Sequence, residues 1–353
     1  MFRSWVLLAV ILSVAHGTVS EKDQPCKTPE NKKGQCVEVR NCQAIISAIT
    51  SKNNTAIEFA KKSQCGFYNS QPLVCCEILE SEFLPKKDVC GLSVADKIYN
   101  GFATQMAQYT WIAALVFKKK ATGEDVGIKC VGSLIDNRYV LTSAGCLSDE
   151  ELELVHVRLG DWDLISDPDC DEITDFKYCS EPVRRFKVNK IIKHHNYNKA
   201  SGSDDIALIQ LQDIVTYSEF ISPICLPTGI APSFESFVPV VAGWGTTIKN
   251  DSSSNQLKAA QISLLSADEC RKKIQNSKPL NTNEFCGVQK HTLQSCIGSI
   301  GSPLMMPVVS TNELNLYVDG ILTWNDKCAS NDPGVYTRVI NYMPWILEII
   351  SKE

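Results

Sequence analysis

Beyond its first 17 residues the sequence has no long apolar run, and it has no marked excess of either charge. A membrane helix needs about 20 consecutive apolar residues, and no later stretch approaches that length. The formal net charge is −5, from 35 basic and 40 acidic residues. The short basic runs Lys118–Lys120 and Arg184–Arg185 are better explained as solvated surface than as the basic stripe that nucleic acid requires. We therefore expect no membrane span and no nucleic-acid partner.

Histidine is also scarce, with five among 353 residues, and the cysteines are not arranged for zinc. No Cys-x2-Cys pair is followed by a second such pair or by spaced histidines, as structural zinc sites require. The acidic stretch 166–179, SDPDCDEITDFKYC, would allow a calcium ion nearby, but a solvated loop is the preferred interpretation. We expect no metal site and no cofactor.

The first 17 residues are typical of a secretory signal. Arg3 supplies a positive end, and an apolar run too short to span a bilayer follows it. Ala15 and Gly17 place small residues at the minus-three and minus-one positions of a cleavage site. We therefore assign residues 1–17 to a signal peptide and expect a secreted, extracellular chain.

Cysteine is abundant beyond that segment, and the count agrees with secretion. All sixteen cysteines follow residue 17, and an even number in a secreted chain predicts eight disulfides. Asn53 and Asn250 both match the Asn-x-Ser/Thr rule for glycosylation. Such matches are common by chance, so both remain candidates.

The cysteines divide the chain into regions. Residues 26–76 hold six of them, separated by nine, five, twenty-two, nine and no residues. A segment this short buries little apolar core, and three disulfides would therefore be its main constraint. Fifteen pairings of the six cysteines are possible. Residues 77–97 form a linker with one cysteine, Cys90. Over 98–353 short β-rich runs alternate with turns, which predicts an all-β barrel or sandwich, and the final YMPWILEII predicts a closing helix.

Two families resemble these regions. The cysteine spacing of 26–76, which ends in adjacent cysteines, closely resembles the clip domain of arthropod haemolymph proteases. Residues 98–353 resemble the chymotrypsin-like serine proteases, a double β-barrel, through CVGSLIDNRYVLTSAGC, DDIALIQL, PICLP, AGWGT, CIGSIGSPL, ILTWN and NDPGVYTRV. The resemblance implies the following disulfides: Cys26–Cys75, Cys36–Cys65, Cys42–Cys76, Cys90–Cys225, Cys130–Cys146, Cys170–Cys179, Cys270–Cys286 and Cys296–Cys328.

The resemblance also locates a catalytic triad, of which two members are missing. Acyl transfer on this fold needs a hydroxyl nucleophile, an imidazole that takes its proton and a carboxylate that orients the imidazole. The histidine position holds Gly145 and the nucleophile position holds Ile300, while Asp205 fills the aspartate position. The resemblance implies that Asp205 accepts hydrogen bonds from the Thr323 hydroxyl and from nearby backbone, so we expect Asp205 to be a structural group. The chain is therefore predicted to be an inactive serine protease homologue.

Further positions of the family pattern are altered. Ser299 stands where an aspartate would pair with the amino terminus that activation cleavage creates, and a neutral hydroxyl cannot balance a buried ammonium. Gln294 stands at the base of the specificity pocket, and Asn325 stands where glycine is usual. The activation junction itself is retained as Lys97–Ile98, so we expect another protease to cut it.

These features predict a secreted clip-domain serine protease homologue that binds rather than cuts. The resemblance implies a role in haemolymph cascades of innate immunity, leading to melanization through prophenoloxidase or to Toll signalling. Its partners would be clip-domain proteases, prophenoloxidase-type substrates or microbial surfaces. Two alternatives stay open: an active trypsin-like endopeptidase with displaced catalytic residues, and a decoy inhibitor. For the first, the histidines after residue 17 are His156, His194, His195 and His291, and we expect His194 and His195 to lie on a surface-like segment.

Overall fold

The computed structural model describes residues 22–352 apart from 51–52, 80–81, 93–103, 172–176, 228–237, 245–254, 275–279, 290–297, 311–312 and 325–332. The chain forms two compact units, which divide between Ile78 and Leu79. Within the described ranges, no helix has the length and apolar character that a membrane crossing demands.

The first unit is a four-stranded antiparallel sheet with two short helices. Its strands are β1 (Pro25–Lys27), β2 (Lys33–Glu38), β3 (Gln64–Tyr68) and β4 (Gln71–Glu77), in the order β1-β2-β4-β3. A 3-10 turn at Val39–Asn41 leads into α1 (Gln43–Thr50) and α2 (Asn54–Lys62). Asn53 caps α2, since its side-chain oxygen accepts a hydrogen bond from the Thr55 N–H at 3.0 Å.

Disulfides hold this unit together because its apolar core is small. Three bridges join Cys26 to Cys75, Cys36 to Cys65, and Cys42 to Cys76. The adjacent residues Cys75 and Cys76 are both buried, and each ties β4 to a different segment. Cross-links of this kind stabilise small secreted domains chiefly by restricting the unfolded chain.

The second unit begins with a closed six-stranded barrel, in the order β11-β12-β7-β6-β5-β8. Its strands are β5 (Ile112–Lys119), β6 (Asp125–Leu134), β7 (Tyr139–Thr142), β8 (Leu152–Leu159), β11 (Arg184–Lys193) and β12 (Ala207–Leu211). A two-stranded hairpin of β9 (Cys170–Asp171) and β10 (Tyr178–Cys179) lies between β8 and β11 in the chain. A 3-10 turn, Gly145–Leu147, follows β7.

A second closed six-stranded barrel follows, in the order β13-β14-β15-β18-β17-β16. Its strands are β13 (Val240–Gly243), β14 (Lys258–Leu264), β15 (Glu284–Gln289), β16 (Pro303–Ser310), β17 (Glu313–Trp324) and β18 (Gly334–Arg338). The remaining helices are α3 (Ala267–Ile274), a 3-10 turn at Val339–Tyr342 and α4 (Met343–Ile350). The predicted all-β double barrel with a C-terminal helix is thereby confirmed.

Apolar residues at helical spacing dock α4 on the barrels. Met343, Ile346 and Ile350 are buried at successive turns, as the periodicity of YMPWILEII predicts. Disulfides join the pairs Cys90–Cys225, Cys130–Cys146, Cys170–Cys179 and Cys270–Cys286 in this unit. Cys296 and Cys328 lie outside the described residues.

Candidate functional site

The three triad-like positions lie at the ends of barrel strands. Gly145 follows β7, Asp205 precedes β12 and Ile300 precedes β16. The antiparallel pairing of β7 with β12 sets Thr142 opposite Ala207. Because the chain leaves β7 at the end where it enters β12, Gly145 and Asp205 meet at one end of the first barrel.

Asp205 is a buried carboxylate that accepts hydrogen bonds from two neighbouring groups. Its Oδ1 accepts hydrogen bonds from the Ser143 hydroxyl at 2.8 Å and from the Gly145 N–H at 2.7 Å. The prediction that Thr323 donates to Asp205 is wrong, because the Thr323 hydroxyl donates to the Val335 carbonyl oxygen at 3.2 Å. Ser143 is fully buried, so a serine two residues before Gly145 supplies the hydroxyl that Asp205 binds. Asp205 is thus a structural acceptor in this arrangement.

A side chain at position 145 would begin directly beside the Asp205 carboxylate. A Cβ built on Gly145 would lie 3.2 Å from Asp205 Oδ2 and 3.2 Å from Ser143 Oγ. A larger side chain would therefore need a small shift of its neighbours. With glycine there, position 145 contributes only its backbone N–H, and it offers no group that can take a proton.

The described histidines are engaged elsewhere. His156 lies on β8, and burial together with Arg185 and Arg158 lowers its pKa. His194 stacks on His195, with ring centroids 4.3 Å apart, and meets the edges of Tyr342 and Trp345.

His194 is 9% exposed, so the expected surface position of this histidine is wrong. Burial lowers its pKa, because it disfavours the charged imidazolium, and the neighbouring His195 lowers it further. His291 lies outside the described residues.

The loop that carries Ile300 has a backbone that only glycine suits at two points. Gly298 and Gly301 adopt φ angles of 96° and 91°. A Cβ on Gly301 would lie 2.0 Å from the Val131 carbonyl oxygen, so the loop presses against β6. The Val131 N–H donates to the Ile300 carbonyl oxygen at 3.0 Å, which joins this loop to the first barrel.

The Ile300 side chain is half-buried and apolar. It packs against both main hydrophobic clusters of the second unit. A hydroxyl nucleophile must be exposed to reach a peptide carbonyl, whereas this side chain adds apolar contact to the core. At position 300 the loop therefore provides packing.

Two serines hold the loop in place without a carboxylate. The Ser299 hydroxyl donates to the Trp244 carbonyl oxygen at 2.7 Å, and the Ser299 N–H donates to Ser302 Oγ at 3.0 Å. Ser302 is fully buried, and its Oγ lies 2.6 Å from where a Cβ on Gly243 would be. The sequence showed these serines but not their bonds, because partners 55 residues apart in the chain meet only in the fold.

Several predicted site residues lie outside the described part of the chain, namely Lys97, Ile98, Gln294, Asn325 and Asn250. Asn53 is described and exposed at the start of α2. The predictions made for all of these residues remain predictions.

The acidic loop is organised around Asp169, which is fully buried. Its Oδ2 accepts from the N–H groups of Trp162 and Asp163, at 2.7 and 3.1 Å, and its Oδ1 accepts from the Ser166 hydroxyl at 2.6 Å. No group of three acidic, histidine or cysteine side chains is arranged to hold a metal ion in the described ranges. Residues 172–176 of this loop are not among them, so the calcium expectation stays untested.

Comparisons with known proteins agree with this architecture. The Trypsin family model matches residues 98–346, and the model of the regulatory CLIP domain of proteinases matches residues 26–76. The Spaetzle-processing enzyme of Drosophila melanogaster is 31% identical over 392 residues, which cover 98% of this chain and 97% of its own. Phenoloxidase-activating factor 3 of Holotrichia diomphalia is 32% identical over 353 residues, covering 97% of this chain and 98% of its own.

A solved structure is similar over nearly the whole chain. It is the crystal structure of Drosophila Grass, a clip serine protease of the Toll pathway, with a TM-score of 0.66 and 26% identity. The match covers 94% of this chain and 98% of that one. By fold and sequence, the chain belongs to the trypsin family of serine proteases, as a member that carries a CLIP domain.

Proposed function

We propose that this chain is a secreted, non-catalytic member of its family that binds other proteins in extracellular immune cascades. The observation that carries the proposal is the pair of residues at the triad positions, Gly145 and Ile300. Hydrolysis on this fold requires a base and a nucleophile at these two places, and neither residue has a group that can serve. The Ser143 bond to Asp205 supports the same conclusion, since it occupies an oxygen of the remaining carboxylate.

Activation cleavage would not switch this protein in the usual way. Ser299 has its hydroxyl bonded to the Trp244 carbonyl, and it carries no charge that would balance a new ammonium group. Burying an unpaired ammonium costs several kcal/mol. We therefore propose that a cut at Lys97–Ile98 creates a new amino terminus without assembling a catalytic centre. The Cys90–Cys225 disulfide would keep the two parts covalently joined.

The names of the relatives indicate the kind of cascade. Melanization protease 1 of Drosophila melanogaster is 32% identical and covers 91% of this chain, and Grass belongs to the Toll pathway. By that similarity, residues 26–76 form the clip domain, 77–97 the linker and 98–353 the protease-like domain of a haemolymph protein. The proposed partners are clip-domain proteases or prophenoloxidase-type substrates, and microbial surfaces are a further candidate.

A labelling experiment tests the absence of catalysis. The chain is cut at Lys97, then incubated with fluorogenic Arg and Lys peptides and with an active-site phosphonate probe, beside trypsin as the positive control. We expect no hydrolysis above buffer and no labelled residue. A labelled serine in the cut chain would establish the displaced-catalyst alternative and overturn the proposal.

A reconstituted cascade tests the binding role. Purified chain is added to an upstream clip protease and its zymogen substrate, and product formation is followed over time. An adaptor increases the rate of product formation, whereas a decrease would identify the decoy function instead. A chain that leaves the rate unchanged and is not retained by either protein in a pull-down contradicts both.

A further inference from the structure

Three ammonium groups lie together on the loop that follows Gly145. The Lys193 Nζ donates to the Ser148 hydroxyl oxygen at 3.0 Å, and the Lys199 Nζ donates to the Ser148 carbonyl oxygen at 3.0 Å. The Lys120 Nζ donates to the carbonyl oxygen of Glu150, also at 3.0 Å. Two ammonium groups therefore share Ser148 as their acceptor, and the third binds Glu150, which lies two residues further along the chain. We call these three residues the lysine cluster.

The lysine cluster has no ionic partner in the part of the chain that the structure describes. All three hydrogen bonds go to uncharged oxygens, and among the described residues no carboxylate oxygen lies within ion-pair distance of these ammonium groups. Neighbouring lysines behave differently: Lys118 lies 3.3 Å from a Glu153 carboxylate oxygen and Lys119 lies 2.7 Å from one of Glu124. The cluster thus differs from the ordinary paired surface beside it.

The three cations repel one another at this distance. Burial lowers the pKa of Lys193, and the nearby charges of Lys199 and Lys120 lower it further. Free lysine side chains would separate into solvent to reduce such repulsion, because each has several rotatable bonds. Their convergence on one loop means that the fold holds them there.

The loop that holds them is rigid. The Ser148 hydroxyl donates to the carbonyl oxygen of the fully buried Ala144 at 2.7 Å. The Cys130–Cys146 disulfide ties the same turn to β6. Lys193 is the last residue of β11, so its backbone is fixed by pairing with Ala207. A site whose donors are already positioned loses little conformational entropy when a ligand binds.

We propose that the lysine cluster is a binding site for a compact anion, namely the neighbouring carboxylates of an acidic segment on another polypeptide. Opposite charge on the partner would relieve the repulsion among the three cations, none of which forms an ion pair with a described residue. The proposal goes beyond the proposed function, because it does not depend on whether the centre beside it is catalytic.

The surroundings favour a short acidic segment over a long polyanion. Asp149, Glu150 and Glu151 follow Ser148 directly and are exposed. Only Asp149 has a basic partner among the described residues, with Lys129 Nζ at 3.7 Å. A sulfated polysaccharide long enough to extend past the cluster would be repelled by these carboxylates. Two adjacent Glu side chains are short enough to contact the ammonium groups without approaching them.

The test uses the full-length chain with its lysines reductively methylated with 13C, which keeps their charge and makes each one visible by NMR. A tetraglutamate peptide is titrated at about 20 mM salt, where charge interactions are weakly screened. We expect the signals of the lysine cluster to move together with one saturating curve, while the Lys118 signal stays in place. Resonances that do not move, or that move equally for all lysines, would overturn the proposal.

Variants separate this site from general charge. In the double variant Lys193→Gln and Lys199→Gln, the dissociation constant of the peptide should rise about fivefold or more, and Lys118→Gln should change it less than about twofold. Lys193 and Lys199 are exposed and the Lys118 side chain is 38% exposed, so thermal melting should change little. An equal loss of affinity for the peptide in both variants contradicts the site. Tighter binding of a heparin hexasaccharide than of the peptide, compared at equal charge, contradicts it as well.

Discussion

The two barrels contribute unequal halves to the degenerate centre. The first barrel retains its charged group, Asp205, and surrounds it with the Ser143 hydroxyl and the Gly145 N–H. The second barrel retains the shape of its loop but has no charge there, and Ser299 and Ser302 hold it through neutral hydrogen bonds. The difference shows that the first half is organised around a carboxylate, whereas the second is held by neutral hydrogen bonds.

The comparison also indicates how the fold would survive the proposed loss of activity. Catalytic groups are held in place by the scaffold, and their removal leaves the scaffold's own bonds intact. Gly301 still presses against β6, and Ile300 adds apolar contact at the position where a reactive hydroxyl would be exposed.

Restoring both halves should have the largest effect. The variant Gly145→His, Ser299→Asp, Ile300→Ser and Ser302→Gly supplies the missing base, nucleophile and ammonium partner. With Ser143→Ala added, the Ser143 hydroxyl no longer occupies Asp205 Oδ1 beside the new imidazole. We expect peptide hydrolysis about 10³-fold or more above the parent chain, because triad members act as a unit.

The controls for that experiment carry one half each. The Gly145→His change alone and the Ile300→Ser change alone should both stay at the parent rate, measured with the same fluorogenic peptide after cleavage at Lys97. If the five changes together give no hydrolysis while the chain remains folded, then the barrels differ from an active centre by more than these side chains.

Removing the charged acceptor of the first barrel should have the next largest effect. Asp205→Ala removes the acceptor of the buried Ser143 hydroxyl and one of the two acceptors of the Gly145 N–H, and should lower the free energy of unfolding by about 3 kcal/mol. Chemical denaturation with the disulfides intact measures this. The matched variant Ser143→Ala removes the donor to Asp205 together with the second acceptor of the Gly145 N–H, which keeps its bond to Asp205, so it should cost only about 1 kcal/mol. Equal costs would show that Asp205 does not organise this half.

Removing the neutral acceptor of the second barrel should cost less. Ser302→Ala deletes the Oγ that accepts from the Ser299 N–H, and we expect a loss of about 1 to 2 kcal/mol by the same denaturation. Ser351→Ala is the control, since that serine is exposed at the end of α4 and its change should be silent. A Ser302→Ala chain as stable as the parent would mean that the loop is held by its glycine geometry alone.

The smallest predicted effect is a pH dependence that belongs to the first barrel. Burial raises the pKa of Asp161 from 3.8 to about 6, even though Arg158 lies 2.6 Å from its Oδ2. The folded chain therefore keeps a proton that the unfolded chain has lost, so this contribution to stability is present at acidic pH and disappears as pH rises through about 6. Calorimetry between pH 4 and 7 should show that the free energy of unfolding of Asp161→Asn varies less steeply with pH than that of the parent. The same measurement on Asp213→Asn, a change at an exposed position, should match the parent. A parent-like slope in Asp161→Asn contradicts the assignment.

The sequence predicted the architecture well because its signals are local. Alternating β runs, turn residues and the helical spacing of Met343, Ile346 and Ile350 each report on a short segment, and cysteine spacing reports on the small first unit. The residues at the triad positions were also readable, since Gly145 and Ile300 lie inside recognisable motifs whose order along the chain is the same in the family.

Partners across the fold were not readable. Thr323 was expected to bind Asp205, yet Ser143 does so, because which of two hydroxyls reaches a carboxylate depends on side-chain direction at two strand ends. His194 was expected near the surface, yet packing against Tyr342 and Trp345 buries it. Such contacts join segments far apart in the chain, and a linear pattern does not encode them.

The sequence by itself determined the two-part organisation, the double barrel and the identity of the side chains at the degenerate centre. Only the tertiary structure decided which groups surround the triad positions and which charges were brought together. Lys120 follows β5, whereas Lys193 and Lys199 lie at the end of β11 and shortly after it, so these two segments meet at the loop after Gly145 only in the folded chain. The physical reason is that covalent order sets local conformation, whereas hydrogen bonds and charge proximity depend on how the strands close into barrels.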